Sequence, residues 1–169
     1  MSKLDLITHF YEYNEWANNR LLDVASGLSG DELSAGRGAS FDSILGSFAH
    51  VAAAQVNWLE RWVIGRNRVS TLELQKMPDM AAVRASFLAS HGGLREFVGD
   101  LTDDRLEAPQ EFRDSADSRQ SYLLWQMMTH VANHGTYHRG EIAMMLTGLG
   151  HSPGDLDFGF WEAEHHPQR

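Results

Sequence analysis

No cysteine occurs anywhere in the 169 residues. That excludes disulfides, thiolate metal sites and a cysteine nucleophile together, so any thiol chemistry has to use a thiol brought by the substrate. Basic residues are also few, with 14 Lys and Arg set against 23 Asp and Glu for a net charge of -9. A nucleic-acid face needs a Lys/Arg patch to displace counterions, so nucleic acid is excluded as a partner. No apolar run approaches the roughly 18 residues a membrane span requires. Met1 to Phe10 carries Asp5 and no long apolar segment, so no signal peptide is expected. These absences lead to the expectation of a cytoplasmic protein with no membrane partner. Strand signals are weak, internal repeats and low-complexity tracts are missing, and no alternating run is bounded by hairpin turns.

What is present reads as an ordinary folded chain, 43% hydrophobic and 22% charged, long enough to bury a substantial core as one domain over 1–169. Four segments carry helical periodicity. The first runs from about Leu4 to Gly27, with Leu6, Phe10, Tyr13, Ala17, Leu21 and Val24 at spacings of three and four. The second runs from about Phe41 to Ile64, with Ser40 as its expected N-cap and Gly65 as its stop. The third begins near Asp79 and reaches about Leu101, and the fourth runs from about Ser118 to Gly148, a residue suited to the left-handed turn after a helix. Four amphipathic helices of roughly 20 to 30 residues predict an all-α, four-helix bundle, whose sites are built from side chains on facing helices. The tail from Ser152 to Arg169 is expected to be irregular, with Phe158, Phe160 and Trp161 free to pack on the bundle.

Nine histidines are the most informative feature. His130, His134 and His138 recur every fourth residue, and at about 100° per residue they share one narrow helix face. Two imidazoles at i and i+4 can present nitrogens to one ion. The bland alternative is a solvated polar face. His134 falls about 70° from the centre of its helix's apolar stripe, a boundary position where a ligand near a cleft should sit. His134-Gly-Thr-Tyr-His138 lacks the glutamate a zincin protease places after its first histidine, so a metalloprotease is a poor reading. Periodicity leaves the third ligand open. His50 lies roughly 140° from the stripe through Phe48, Val51 and Gln55, and His9 and His91 are equal candidates. The methionine pairs at 127–128 and 144–145 and the five tryptophans read as core and packing residues.

Three stretches carry a family resemblance. Tyr13-Asn-Glu-Trp-Ala-Asn-Asn-Arg-Leu-Leu-Asp23 looks like a first helix, and Ile44-Leu-Gly-Ser-Phe-Ala-His50 with Trp58-Leu-Glu-Arg61 looks like a second. The most specific is His130-Val-Ala-Asn-His134-Gly-Thr-Tyr-His138-Arg-Gly-Glu-Ile142, followed by Pro153-Gly-Asp-Leu-Asp157. Together they resemble the DinB (YfiT-like) family of four-helix-bundle metalloproteins over nearly the whole chain. The resemblance implies a divalent metal, typically zinc or nickel, on one histidine of the second helix and two of the fourth. Carried over by position, these are His50, His134 and His138. It further implies a packing or supporting role for His130, a crossed-over bundle connection and a homodimer.

Three imidazoles would leave at least one position open for water or substrate, which favours a catalytic over a structural site. By more distant resemblance to transferases that use bacillithiol or mycothiol, the expected function is a metal-dependent enzyme acting on a small molecule, a thiol-dependent S-transferase. The alternative enzyme is a metal-dependent hydrolase in which Tyr137 or Glu141 handles protons. Glu141, three residues after His138, also allows a site of two histidines and one carboxylate, which would favour iron. The non-enzymatic alternative is a stress-associated metal-binding protein. The loops 66–77 and 108–117 are expected to shape the cleft.

Overall fold

The computed structural model describes residues 2–65, 69–113 and 118–167. Four long helices dominate: α1 (Lys3–Ala25), α3 (Ile44–Ile64), α5 (Met80–Gly99) and α7 (Leu124–Gly148). Between and after them lie the short helices α2 (Gly30–Ser34), α4 (Thr71–Leu74) and α6 (Asp103–Leu106), the strands β1 (Pro109–Arg113) and β2 (Arg119–Leu123), and α8 (Phe158–His165). The four-helix bundle expected from periodicity is therefore present. None of the described helices is long and apolar enough to cross a membrane.

Helix α1 packs against α7 and α5, and α3 packs against those same two. Helices α1 and α3 thus stand diagonally opposite, as do α5 and α7, and two of the three links between long helices cross the bundle. Short loops between antiparallel neighbours would have given the simpler up-down order. The sequence spends 18 residues (26–43) on one crossing, including α2, and 24 (100–123) on the other, including α6 and the strands.

Local boundaries follow side-chain caps that satisfy the free amides of a first turn. Ser43, not Ser40, caps α3, its Oγ accepting from the Gly46 amide at 3.0 Å. A Cβ on Gly46 would run into the Phe41 carbonyl oxygen, so glycine allows the 39–43 loop to fold back over the helix start. Asp42 there is left-handed at φ 61°, a conformation aspartate tolerates. Gly65 ends α3 at φ 73°. Gly148 is the last residue of α7, and the left-handed position falls instead on Gly150, at φ 85°.

Two expectations need correction. The segment from Ser118 does not begin the fourth helix: Arg119–Leu123 pairs antiparallel with Pro109–Arg113, Pro109 opposite Leu123 and Phe112 opposite Gln120. These strands have no apolar alternation of their own, and pairing satisfies backbone groups that the neighbouring helix cannot. The tail is also not irregular throughout. Asp157 Oδ1 accepts from the Gly159 amide at 2.8 Å and starts α8, which seats Trp161, 3% exposed, against Tyr13. One buried residue in eight leaves no periodic signal.

The core has two main apolar clusters. One gathers Leu21, Ile44, Phe48, Phe87, Ile142 and Leu146, and the other Tyr11, Trp62, Leu94, Leu124, Met128 and Val131. Between them along each helix runs a buried polar layer: Asn14 and Asn18 of α1, Gln55 of α3, Ser90 and His91 of α5, and Arg139 of α7. Arg139 donates to Asn14 Oδ1, to Asn18 Oδ1 at 3.2 Å and to Thr136 Oγ1 at 2.8 Å. Burial lowers its pKa to about 10, so it stays cationic at neutral pH. Asn18 Nδ2 lies 3.3 Å from His91 Nε2.

Burial pushes the His91 imidazole down to about 4, against 6.5 for the ordinary group, with Arg95 and Arg139 acting in the same sense and Glu15 opposing. The unfolded chain therefore takes up a proton near 6.5 that the folded chain refuses until about 4. Stability is complete above 6.5 and declines as pH falls. Thermal melts of chelator-treated protein should show the fall beginning between pH 6.5 and about 5, above the usual carboxylate range, and His91→Gln should make it shallower without abolishing it, because burial lowers His50 and His134 in the same way. A midpoint constant across that interval would contradict the assignment.

Candidate metal centre

The centre forms where α3 meets α7 at the level of the polar layer. His134 and His138 lie one turn apart on α7, and His50 faces them from α3. One ring nitrogen from each of the three lies within 4.8 Å of the others, and His50 Nε2 and His134 Nε2 stand 3.0 Å apart. Two donors bound at about 2.1 Å to one ion, at an angle near 90°, are separated by about 3.0 Å. His138 is buried, while His50 and His134 are half-buried.

Charge state favours ligation. Burial lowers the pKa of His50 to about 4, with His134 and His138 adding to the effect. Burial does the same for His134, helped by His138 and His130. Both rings are neutral near pH 7 and carry lone pairs. Two such nitrogens at 3.0 Å require a proton or a cation between them.

Two of the three outer ring nitrogens are held, those of His138 and His50. His138 Nδ1 lies 2.7 Å from Glu141 Oε2, one turn onward in α7. Glu141 Oε1 accepts from the Ser40 amide at 3.2 Å and its hydroxyl at 2.5 Å. Burial alone would raise the Glu141 carboxyl, but the hydrogen bonds from Ser40 and His138 outweigh it and hold the group below the usual range. The carboxylate therefore accepts from Nδ1–H of His138 and leaves Nε2 free, the usual support of a metal-binding histidine. Gln75, just after α4, places its amide 2.7 Å from His50 Nδ1. Turned so that Oε1 accepts, that amide would do the same for His50. Phe41 stacks on His50 at 3.7 Å between centroids and meets His138 edge-on at 5.4 Å.

The other sequence candidates fall elsewhere. His9 pairs with Glu162 near α8, and His91 belongs to the polar layer. His130 is outside the three-nitrogen cluster, its ring 6.0 Å from that of His134 and 5.7 Å from Trp58. Tyr137 is 63% exposed, its ring 4.9 Å from His138. His130 also lines a cleft of about 460 Å³ with Trp58, Phe112, Tyr122, Gln126 and Met127, and Arg61 lies over the rings of Trp58 and Phe112. Of the loops expected to shape the cleft, 66–68 and 114–117 lie outside the described residues. The remainder contributes Gln75 and Phe112.

The DinB family model matches residues 1–168. The chain belongs to the DinB family. Among its DinB relatives, Protein DinB of Bacillus subtilis strain 168 is 26% identical over 168 residues, covering 93% of this chain and 94% of the relative. Among solved structures, YfiT from Bacillus subtilis superposes with a TM-score of 0.70 at 15% identity, covering 86% of this chain and 89% of YfiT. YfiT is described as a probable metal-dependent hydrolase with an unusual four-helix bundle topology. At that identity the likeness speaks for the shared DinB fold.

Sequence reasoning missed Gln75, Ser40 and Phe41 as parts of this DinB centre. None sits on a periodic helix face, and their places depend on how two loops fold back over α3. The Glu141 support has a measurable consequence. Glu141→Gln should weaken zinc binding about 10- to 100-fold in a competition titration with a chromophoric chelator. Unchanged affinity would remove the carboxylate from the site, whereas complete loss together with full retention in His50→Ala would make Glu141 a direct ligand.

Proposed function

We propose that this protein is a metal-dependent enzyme acting on a small molecule, with a divalent ion held by His50, His134 and His138, and that hydrolysis is the reaction. The observation that carries the reading is three mutually close imidazoles, two of them half-buried, with Glu141 and Gln75 engaged behind them. Such a set leaves room for an outside molecule, where a structural site would be closed by a fourth protein ligand. The description of YfiT as a probable metal-dependent hydrolase agrees with this choice. When bound, a zinc, nickel or iron ion supplies Lewis-acid polarisation and lowers the pKa of water.

The chain's own residues do the rest. Glu141 Oε2 retains the Nδ1 proton of His138, so the ring cannot turn or change tautomer. Phe41 covers the His50 face and keeps water off that side. Tyr137 is exposed with its ring edge-on to His138, and its hydroxyl would hydrogen-bond a substrate or pass a proton. The cleft beside His130 takes the apolar part of the substrate between Trp58, Phe112 and Tyr122. His130 and Gln126 offer polar contacts there. A homodimer and a cytoplasmic location belong to the same proposal.

A thiol-dependent S-transferase is the second reading, and with no cysteine in the chain its thiolate would come from a cosubstrate. Zinc-loaded protein incubated with a panel of activated esters and amides, with and without added bacillithiol or mycothiol, separates the two. Turnover without thiol, lost in His138→Ala, supports hydrolysis. Turnover only with thiol supports transfer. No turnover in either arm, with metal loading verified, leaves the metal-binding protein without catalysis and rejects the enzyme.

A further inference from the structure

A second cluster of ligating side chains lies away from the α3–α7 centre, where α8 docks on α1. Glu162 and His166 are four residues apart, and the His166 amide donates to the Glu162 carbonyl at 2.8 Å. That bond closes the last turn and sets both side chains on one face, the spacing at which two ligands reach one ion. His9 meets this face from α1. A ring nitrogen of each histidine and a carboxylate oxygen of Glu162 lie within 4.8 Å of one another.

The details favour a cation over a simple ion pair. His9 Nδ1 and Glu162 Oε1 are 3.0 Å apart, again the separation of two donors bound to one ion at about 2.1 Å. The other Glu162 oxygen, Oε2, is buried and has no hydrogen-bond partner, a costly state for a carboxylate unless a positive charge faces it. The His9 and His166 rings stack at 4.1 Å and 14°, and an imidazole lone pair lies in its ring plane, so one of the two rings must turn about its Cβ–Cγ bond for both to meet one ion. On its outer side His166 Nε2 lies 3.4 Å from Glu12 Oε2, an acceptor that would fix the tautomer and leave the other ring nitrogen with a lone pair.

We propose that His9, Glu162 and His166 form a second divalent-metal site that clips the C-terminal helix α8 onto α1. Two imidazoles and a carboxylate without sulfur suit iron, zinc, nickel or cobalt. The ion would add to the contacts already holding this segment, the Tyr13 hydroxyl donating to the Leu156 carbonyl at 2.7 Å and Arg20 Nε donating to the Pro153 carbonyl at 2.6 Å. Because it binds the docked helix, it also stabilises that docking by mass action.

Zinc is the probe. Equilibrium dialysis of the full chain followed by elemental analysis should find two equivalents, falling to one in His166→Ala and in Glu162→Gln. The double variant His50→Ala/His134→Ala should retain the second equivalent. His165→Ala, whose Nδ1 is turned to the Trp161 carbonyl at 2.9 Å, should keep both. Hydrogen exchange should show amides of 158–165 becoming protected on zinc addition, in the native chain and the double variant but not in His166→Ala. His166→Asn provides the same test should the alanine variant lose its circular dichroism. One equivalent in the native chain with no change in His166→Ala, or zinc protection that spares α8, overturns the proposal. An unchanged count in the double variant would instead count against the three-histidine centre and leave this site standing.

Discussion

His134→Ala is expected to remove one equivalent of bound zinc and to weaken binding at the three-histidine centre by more than about 100-fold, since losing a mere supporting residue already costs about 10- to 100-fold. His134 meets both other members of the set, its Nε2 3.0 Å from that of His50 and its ring 4.6 Å from that of His138. Without it only His50 and His138 remain, on different helices with rings 4.6 Å apart, and the i, i+4 pair is lost. The metal-free fold should be preserved, because the half-buried His134 ring lies outside the apolar clusters. Chelator competition and far-UV circular dichroism together check the claim. Native-like zinc affinity in a folded His134→Ala protein would rule out the centre as drawn, and His50→Ala and His138→Ala should repeat the result.

Phe48→Ala should have the opposite profile, costing about 3 to 5 kcal/mol of stability while leaving His50, His134 and His138 in the chain. Phe48 is 1% exposed and meets Phe87 edge-on, with centroids 6.4 Å apart at 88°. It joins α3 to α5 in the cluster that also holds Leu21 and Ile142. Truncation would leave a cavity between four helices that each already meet two neighbours, so collapse is restricted. At this chain length the melting temperature should drop by roughly 6 to 20 °C. A loss under about 1 kcal/mol in a denaturant titration would mean that the cluster repacks freely, contrary to close packing.

His50 shows where reading along the chain stops. Its distance from the Phe48–Val51–Gln55 stripe argues against a buried role when α3 is given a single apolar face. In the fold α3 packs against both α5 and α7, and Ser47, Ala49, Ala52, Ala53 and Ala54 are buried as well. A helix with two neighbours has two buried faces, and a single stripe centre misplaces the residue between them. The family resemblance pointed to His50 where periodicity left His9 and His91 equally eligible. Glu141 was visible as a residue within reach of His138. Its role behind the ring, rather than beside it, depends on Ser40 arriving from a loop 101 residues away in sequence.

The sequence alone determined the helical class, the four long segments to within a few residues apart from the start of the last, and the shared face of His134 and His138. All of these follow from local periodicity, which the backbone geometry of a helix converts directly into a face. Tertiary structure decided the diagonal order of the helices, the β1–β2 pairing, the short C-terminal helix and the approach of His50, Gln75 and Ser40 to the histidine pair. Those features depend on contacts between segments far apart in the chain, whose free energy comes from mutual burial and pairing and leaves no repeating mark in either partner.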